Sequence, residues 1–394
     1  MKLIWLTAEL PFPPNTGGRI VMYKRIKYLS RNNDIYLFSI IDRNEEEKYI
    51  SDLQKYCKDV KLYSREGKLL RNMLGLLFAP YVCESRWYTK MKNDIEENFY
   101  STHPDYVIVD FPQMLGNLSD EILRSRKVIL NQHNTEYVTL RNLSNLFDNP
   151  FKRVIYWLES YRLERLEKKN YKRGVIKLFT FVSIEDKVFF EKKYNLTNTY
   201  LLPIGTEICP LEKRGNGEFV ISYIGKMEYS ANAEAALWFA YNVFIKLRRE
   251  IDNISFYIVG KNPPKKVSRL EEVNSSIIVT GTVDSVDEYF EKSDIVVIPL
   301  FHGGGVKVKL LEALGHKKLV ITTSKGIEGT IFKNRKELLV AETSEQFENI
   351  IKDVISHQES YEIIREQGFN CVKENYTWSA IINNYESILR IMLE

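Results

Sequence analysis

Short apolar runs, each followed by a segment of helical period, recur along the whole chain, and that alternation restricts it to parallel sheets built from βαβ units. The first series comprises Leu3–Leu6, Ile35–Ile40, Val60–Leu62, Tyr106–Val109 and Val128–Leu130. A second series comes after the Gly-containing stretch Lys213-Arg214-Gly215-Asn216-Gly217 and comprises Phe219–Ile224, Ser255–Val259, Ile277–Val279, Ile295–Ile298 and Leu319–Ile321, with Ala233–Arg248 among the helical segments between. These runs are apolar on both faces, as parallel strands covered by helices must be. The expected fold class is therefore α/β, with two Rossmann-like doubly wound parallel-sheet domains facing a cleft. The expected domains are 1–205 and 206–378, and a last helix at 379–394 packs back on the first of them.

The length of 394 residues agrees with two domains, since one hydrophobic core serves roughly 100–200 residues. An apolar share of 44% and a charged share of 27% are those of an ordinary globular protein, and no stretch approaches the ~20 apolar residues that cross a bilayer. Met1–Leu10 runs straight into Pro and Gly without the long apolar region of a secretory signal, so a cytoplasmic location is expected, extending to the inner face of the membrane. Cys57, Cys83, Cys209 and Cys371 form no Cys-x-x-Cys pair and read as structural thiols. A net charge of +4 is too small to imply nucleic acid, though it suits an anionic small molecule or surface.

In open α/β sheets ligands sit beyond the carboxyl ends of the strands, so the strand-to-loop junctions are where chemistry is expected. After the first strand comes Pro13-Pro14-Asn15-Thr16-Gly17-Gly18-Arg19, then a helical run over Ile20–Leu29; the paired glycines either admit a ligand to a helix start or only turn the chain. After Ile295–Leu300 the sequence reads Phe301-His302-Gly303-Gly304-Gly305-Val306-Lys307-Val308-Lys309-Leu310-Leu311-Glu312-Ala313. Three glycines exposing amides at a helix start, with a lysine one turn in, have the composition and position of a diphosphate cradle. Lys309 and Glu312 share a helix face, one suited to phosphate oxygens and the other to sugar hydroxyls; a surface ion pair would account for them but not for the glycines. Lys226, in Tyr223-Ile224-Gly225-Lys226, ends a strand at a position facing the cleft and is a candidate phosphate contact. His133, in Asn131-Gln132-His133-Asn134-Thr135-Glu136-Tyr137, holds the equivalent position in the first half, against the default of a buried structural histidine. No Asp-x-Asp and no metal-spaced cluster occurs, so metal dependence is not expected; the phosphate-loop ATPase motif and the dinucleotide fingerprint are also missing.

These residues resemble the retaining glycosyltransferases of family 4, whose twin-Rossmann arrangement is called GT-B. The likeness covers most of the chain and is most specific in Tyr223–Asn232 (YIGKMEYSAN), Ile258–Pro264 (IVGKNPP), Pro299–Ala313 (PLFHGGGVKVKLLEA), Gly326-Ile327-Glu328-Gly329, and Asn131–Tyr137 with the long charged helix near Phe151–Arg173. The resemblance implies transfer of a sugar from a nucleotide-diphosphate sugar, UDP-sugar foremost, to a glycan or lipid-linked acceptor hydroxyl, with retention and with no cofactor beyond the donor itself. It implies roles for His133, Lys226, Gly17, Gly18 and Glu312; together with the reading of the residues above, the expected catalytic residues are His133, Lys226 and Lys309, and the expected donor-binding residues are Gly17, Gly18, Gly225, Gly303, Gly304, Gly305, Val306 and Glu312. The family's Glu-x7-Glu motif has Gly304 at its first position here, similar to a subgroup with a Gly-Gly-Gly loop. Its Arg-x4-Lys pair has Lys226 first and Ala231 second, with Lys309 able to supply the missing charge. The rival expectation is a non-catalytic sugar-nucleotide-binding partner subunit. A last expectation concerns Arg65–Tyr81 (REGKLLRNMLGLLFAPY), which reads either as a helix packed on its own domain or as an interfacial helix on anionic lipid.

Overall fold

The computed structural model describes residues 1–66, 79–147, 149–211, 217–303 and 305–394. The interfacial-helix expectation at Arg65–Tyr81 and the site residue Gly304 therefore fall wholly or largely outside the described residues.

The chain divides into two compact units, Met1–Pro203 with Ile382–Glu394, and Ile204–Ile381. The first holds a seven-stranded sheet in the order β3-β2-β1-β4-β5-β6-β7. Its strands are β1 (Lys2–Thr7), β2 (Asp34–Ile41), β3 (Asp59–Ser64), β4 (Tyr106–Asp110), β5 (Val128–Gln132), β6 (Ile176–Phe181) and β7 (Thr199–Leu201). Its helices include α1 (Gly17–Leu29), α2 (Glu136–Leu146) and α3 (Pro150–Lys172). Every pairing is parallel, with Leu3 opposite Ile35 on one side of β1 and opposite Tyr106 on the other.

The second unit holds a six-stranded parallel sheet in the order β10-β9-β8-β11-β12-β13. These strands are β8 (Phe219–Ile224), β9 (Ile254–Val259), β10 (Ile277–Gly281), β11 (Ile295–Ile298), β12 (Leu319–Thr322) and β13 (Leu339–Val340). Helices α4 (Ser230–Phe239) and α5 (Val308–Gly315) come after β8 and β11. The last helix, α6 (Trp378–Ile391), begins in the second unit and ends in the first, where Tyr385 and Leu389 are fully buried and the Tyr106 hydroxyl donates to the Leu389 carbonyl at 2.8 Å.

The doubly wound α/β class read from the sequence is what the chain adopts in each unit. The central strands β1, β8 and β11 are buried almost throughout because helices cover both faces, which is why they read as continuous apolar runs rather than alternating ones. Strands β6, β7 and β13 gave no such run: β6 carries an exposed lysine as its second residue, and β7 and β13 are short. In both sheets the winding reverses next to the first strand, between β1 and β4 and between β8 and β11. Such a switch point leaves a crevice at the strand ends because the flanking connections depart in opposite directions. The segments after β1, β4, β8 and β11 thus occupy the positions where a ligand is accommodated. No helix among the described residues is long and apolar enough to cross a membrane.

Candidate functional site

In the second unit the loop after β11 leads into α5. Gly303 has φ +97° and Gly305 φ +72°, conformations that an L side chain adopts only under strain, and nothing stands within 4 Å of where their Cβ atoms would lie. The Lys307 amino group donates to the Gly303 and Gly305 carbonyls, at 3.2 and 2.6 Å, and folds the loop back on itself. The helix starts at Val308, so the glycines precede it by Val306 and Lys307 rather than forming its first turn. Lys309 is accordingly in the first turn and not one turn in. Val306 is buried and anchors the loop in the core of the unit.

The position of the Lys309 amino group depends on residues that the sequence did not bring forward. It donates to the Tyr223 hydroxyl at 2.9 Å and to Asn232 Oδ1 at 2.6 Å, and sits 4.8 Å from the centre of the Tyr223 ring. Asn232 in turn donates to the Lys226 carbonyl at 2.7 Å. Residues from β8, α4 and α5 therefore converge on the turn at Gly225-Lys226, where a Cβ on Gly225 would lie 3.0 Å from the Lys309 amino group. Burial is the main cause that lowers the Lys309 pKa to about 7, with Lys307 adding to it and Glu312 opposing. Glu312 is raised above the usual carboxylate range, again chiefly by burial, against the charges of His316, Lys309 and Lys226. Lys226 itself is exposed. The only sequence cue to Asn232 was its presence in the YIGKMEYSAN stretch. Tyr223 was hidden inside an apolar run.

The cradle also depends on one close backbone approach. A Cβ on Gly260, which has φ +153°, would lie 1.8 Å from the Gly225 carbonyl oxygen, so the ends of β8 and β9 fit together only without a side chain there. Gly260→Ala is expected to destabilise the chain by about 3 kcal/mol through this clash and the backbone strain. Urea denaturation measures it, and a loss below about 1 kcal/mol would show that the turn yields easily.

In the first unit His133 comes directly after β5. Its Nε2 lies 2.8 Å from Asp110 Oδ1, and its ring stacks on Phe111 with centroids 4.4 Å apart. Asp110 ends β4 and is fully buried, where it also accepts from Trp5 Nε1 at 2.5 Å and from Asn131 Nδ2 at 2.9 Å. Asn131 is fixed by the Thr180 hydroxyl at 2.6 Å. Burial alone would raise the Asp110 pKa; the His133 hydrogen bond and charge, Arg25 and Trp5 outweigh it and hold the carboxylate below its usual range. Phe111 has φ +72°, a strained conformation for a bulky residue and one that recurs where a site over-determines the backbone. The sequence cue for Asp110 was a lone acid ending a buried strand.

Gly17 and Gly18 open α1 itself, three residues before the run the sequence suggested, because the Thr16 hydroxyl caps the helix by accepting from the Arg19 amide at 3.4 Å. Space within 4 Å of a Gly17 Cβ is empty, whereas one on Gly18 would press on the Glu9 carboxylate at 2.9 Å. Arg19 pairs with Glu9 at 3.2 Å and Glu46 at 2.9 Å, which fixes the loop. The structure thus places Gly17 and Gly18 after β1 and His133 after β5, both in the first unit. It gathers Gly225, Lys309 and the Lys226 backbone into one cluster in the second. Among the described residues no group of three or more His, Cys, Asp or Glu side chains is placed to hold a metal ion.

Residues 218–357 match the family described as glycosyl transferases group 1. Over 387 residues the chain is 24% identical to an uncharacterized 44.6 kDa protein in the cps region of Klebsiella pneumoniae, covering 95% of this chain and 96% of that one. Its fold is similar to a crystal structure of a glycosyltransferase from Rickettsia africae, with a TM-score of 0.69, 14% identity, and 100% and 99% of the two chains covered. It is also similar to Anabaena HepE in complex with UDP and glucose, with a TM-score of 0.59, 12% identity, and 99% and 100% covered. The fold is GT-B, and residues 218–357, from the start of β8 through α5 and beyond, match the glycosyl transferases group 1 model.

Proposed function

We propose that the chain is a retaining transferase that moves a sugar from a nucleotide-diphosphate sugar to a hydroxyl of a glycan or lipid-linked glycan, without a metal ion. The observation that carries this reading is the Lys309 amino group, held by the neutral partners Tyr223 and Asn232 at the end of β8. A half-buried lysine held by neutral partners, with no ion pair among the described residues, is stabilised as a cation when an anion comes beside it. A departing diphosphate supplies that anion, and without a metal its charge must be met by side chains and amides. Lys309 beside Gly225-Lys226 stands in for the second cation of the family's Arg-x4-Lys pair, the place of Ala231. Gly303 and Gly305 give room for the phosphates, and Glu312 accepts from the ribose hydroxyls. His133, steadied by Asp110 and Phe111, approaches the transferred sugar, with Gly17 and Gly18 near phosphate and acceptor. Retention implies that the acceptor hydroxyl enters on the face from which the diphosphate leaves, so no protein nucleophile is invoked. UDP is the favoured base carrier because HepE was captured with it.

Two measurements test the donor reading. In a thermal-shift panel of UDP-, GDP- and dTDP-sugars, one ligand at about 100 times its dissociation constant is expected to stabilise by ~2.7 kcal/mol, and absence of any shift across the panel would refute donor binding. The second uses the sign of the lysine titration. Near pH 8 the Lys309 amine, with a pKa of about 7, is mostly neutral, and a bound diphosphate favours its cation. Binding must then take up a proton, and affinity must fall as pH rises above 7, by up to about tenfold per pH unit until the complex titrates. Calorimetry at pH 8 in two buffers of different ionisation enthalpy reads that proton. Equal heats in both buffers would show that binding takes up no proton, against a neutral Lys309 becoming charged beside the anion. Turnover of the bound donor to free nucleotide separates an enzyme from a subunit that only binds.

A further inference from the structure

Helix α3 carries six exposed large apolar residues among the described residues of the first unit. Ser160, Leu163, Glu167 and Tyr171 mark its inner face. On the opposite side Phe151 (80% exposed), Val154, Ile155, Trp157 (50%), Leu158 and Tyr161 (51%) all stand in solvent. Their spacing of three and four residues makes one stripe over the first three turns, with the Trp157 and Tyr161 rings stacked nearly parallel. Scattered exposed apolar residues are ordinary; a contiguous aromatic stripe signals a surface that is covered in use.

The same stripe continues, at the same spacing, into Arg165, Lys168, Lys169 and Lys172, none of which has an ion pair among the described residues. The carboxylates of α3 do not answer them. Glu159 accepts from the Tyr81 amide and from Arg162, Glu164 pairs with Arg141 and Lys193, and Glu167 is buried. The outward face thus consists of an apolar, aromatic half and a basic half with no exposed acid between them.

We infer that the outer face of α3 docks on an anionic lipid surface, with Phe151 to Tyr161 entering the interface and Arg165 to Lys172 lying over the headgroups. Charge complementarity selects this occupant. A second copy of the chain would present the same basic turns, with no acidic groups on the face to meet them. Lipid offers apolar depth and negative charge in the same plane, as interfacial helices with Trp and Tyr beside Lys and Arg require. The residues of this surface are not those of Arg65–Tyr81, for which the sequence left a packed helix and an interfacial helix both open, and the inference is independent of the donor chemistry proposed above.

Flotation of the full chain with vesicles tests it. Binding to phosphatidylcholine vesicles containing about 30 mol% phosphatidylglycerol is expected to be about tenfold tighter than to pure phosphatidylcholine, and to weaken as salt rises from about 0.1 to 0.5 M. Phe151→Ser, Trp157→Ser and Leu158→Ser combined should reduce binding to both kinds of vesicle at least about tenfold; replacing Arg165, Lys168, Lys169 and Lys172 by Ser should remove only the anionic preference. Because these side chains are exposed, both variants should keep the thermal midpoint within about 2 °C, which separates lost docking from lost folding. The inference is overturned if the wild type does not float, or if both variants float as it does. It is equally overturned if sedimentation finds a dimer that the apolar variant abolishes while vesicles are ignored.

Discussion

Lys309→Met should lower turnover of the donor about 100-fold, with no loss of thermal stability. The first half of the expectation rests on charge: removing one preorganised donor from a developing anion costs about 3 kcal/mol, and 1.36 kcal/mol is a factor of ten. The second rests on burial. The Lys309 cation is disfavoured in the folded chain, which is why its pKa lies near 7 rather than 10.5. Below that range the folded state must protonate a group whose surroundings resist it, so a methionine of similar length relieves the chain at pH 6 to 7. Tyr223 and Asn232 lose a shared partner, which limits the gain. Release of nucleoside diphosphate in a donor-hydrolysis assay, with a melting curve on the same sample, reads both quantities. Turnover within about threefold of wild type in a folded variant would remove Lys309 from the chemistry.

Asp110→Ala is the substitution with the largest expected structural cost, about 3–5 kcal/mol, or roughly 10 °C in the first unit's melting midpoint. The carboxylate is buried among Trp5, Asn131 and His133, and its charge also acts on Arg25, which is buried with Nε and Nη1 lacking hydrogen-bond partners among the described residues. Deletion leaves those donors and that cation uncompensated. Asp110→Asn keeps the volume and should cost less stability while still disturbing His133, since an amide can oppose the ring with its N–H. Because the folded Asp110 titrates below its ordinary 3.8, its contribution is complete above that range and lost as pH falls further. Differential scanning calorimetry at pH 7 and pH 3 checks both points. An alanine variant that melts within about 2 °C of wild type at pH 7 would show the network to be dispensable.

The position of each signal in the chain decided what could be read before folding. Strands β1, β8 and β11 were visible because both their faces are buried, so the apolar requirement falls on every residue. Strand β6 was missed because Lys177 interrupts its run, and β7 and β13 because so few residues carry no period. The glycines at 303 and 305 were visible because a positive φ restricts the residue type, and the structure shows both in that conformation. Asn232, Tyr223 and Asp110 were not, because each owes its place to a partner far along the chain. Lys309 lies 77 residues from Asn232 and 86 from Tyr223, and Asp110 lies 105 from Trp5.

By itself, then, the sequence determined the fold class, through hydrophobic period, and the junctions where ligands approach, through glycines at the ends of buried strands. Tertiary structure alone decided what those junctions contain. It set Lys309 against Tyr223 and Asn232 rather than in open solvent, put Asp110 behind His133, and left the outer face of α3 uncovered. The reason is physical: local preferences depend on neighbours within a few residues, whereas burial, and the charge state and orientation that burial imposes, depend on what the sheet topology brings together.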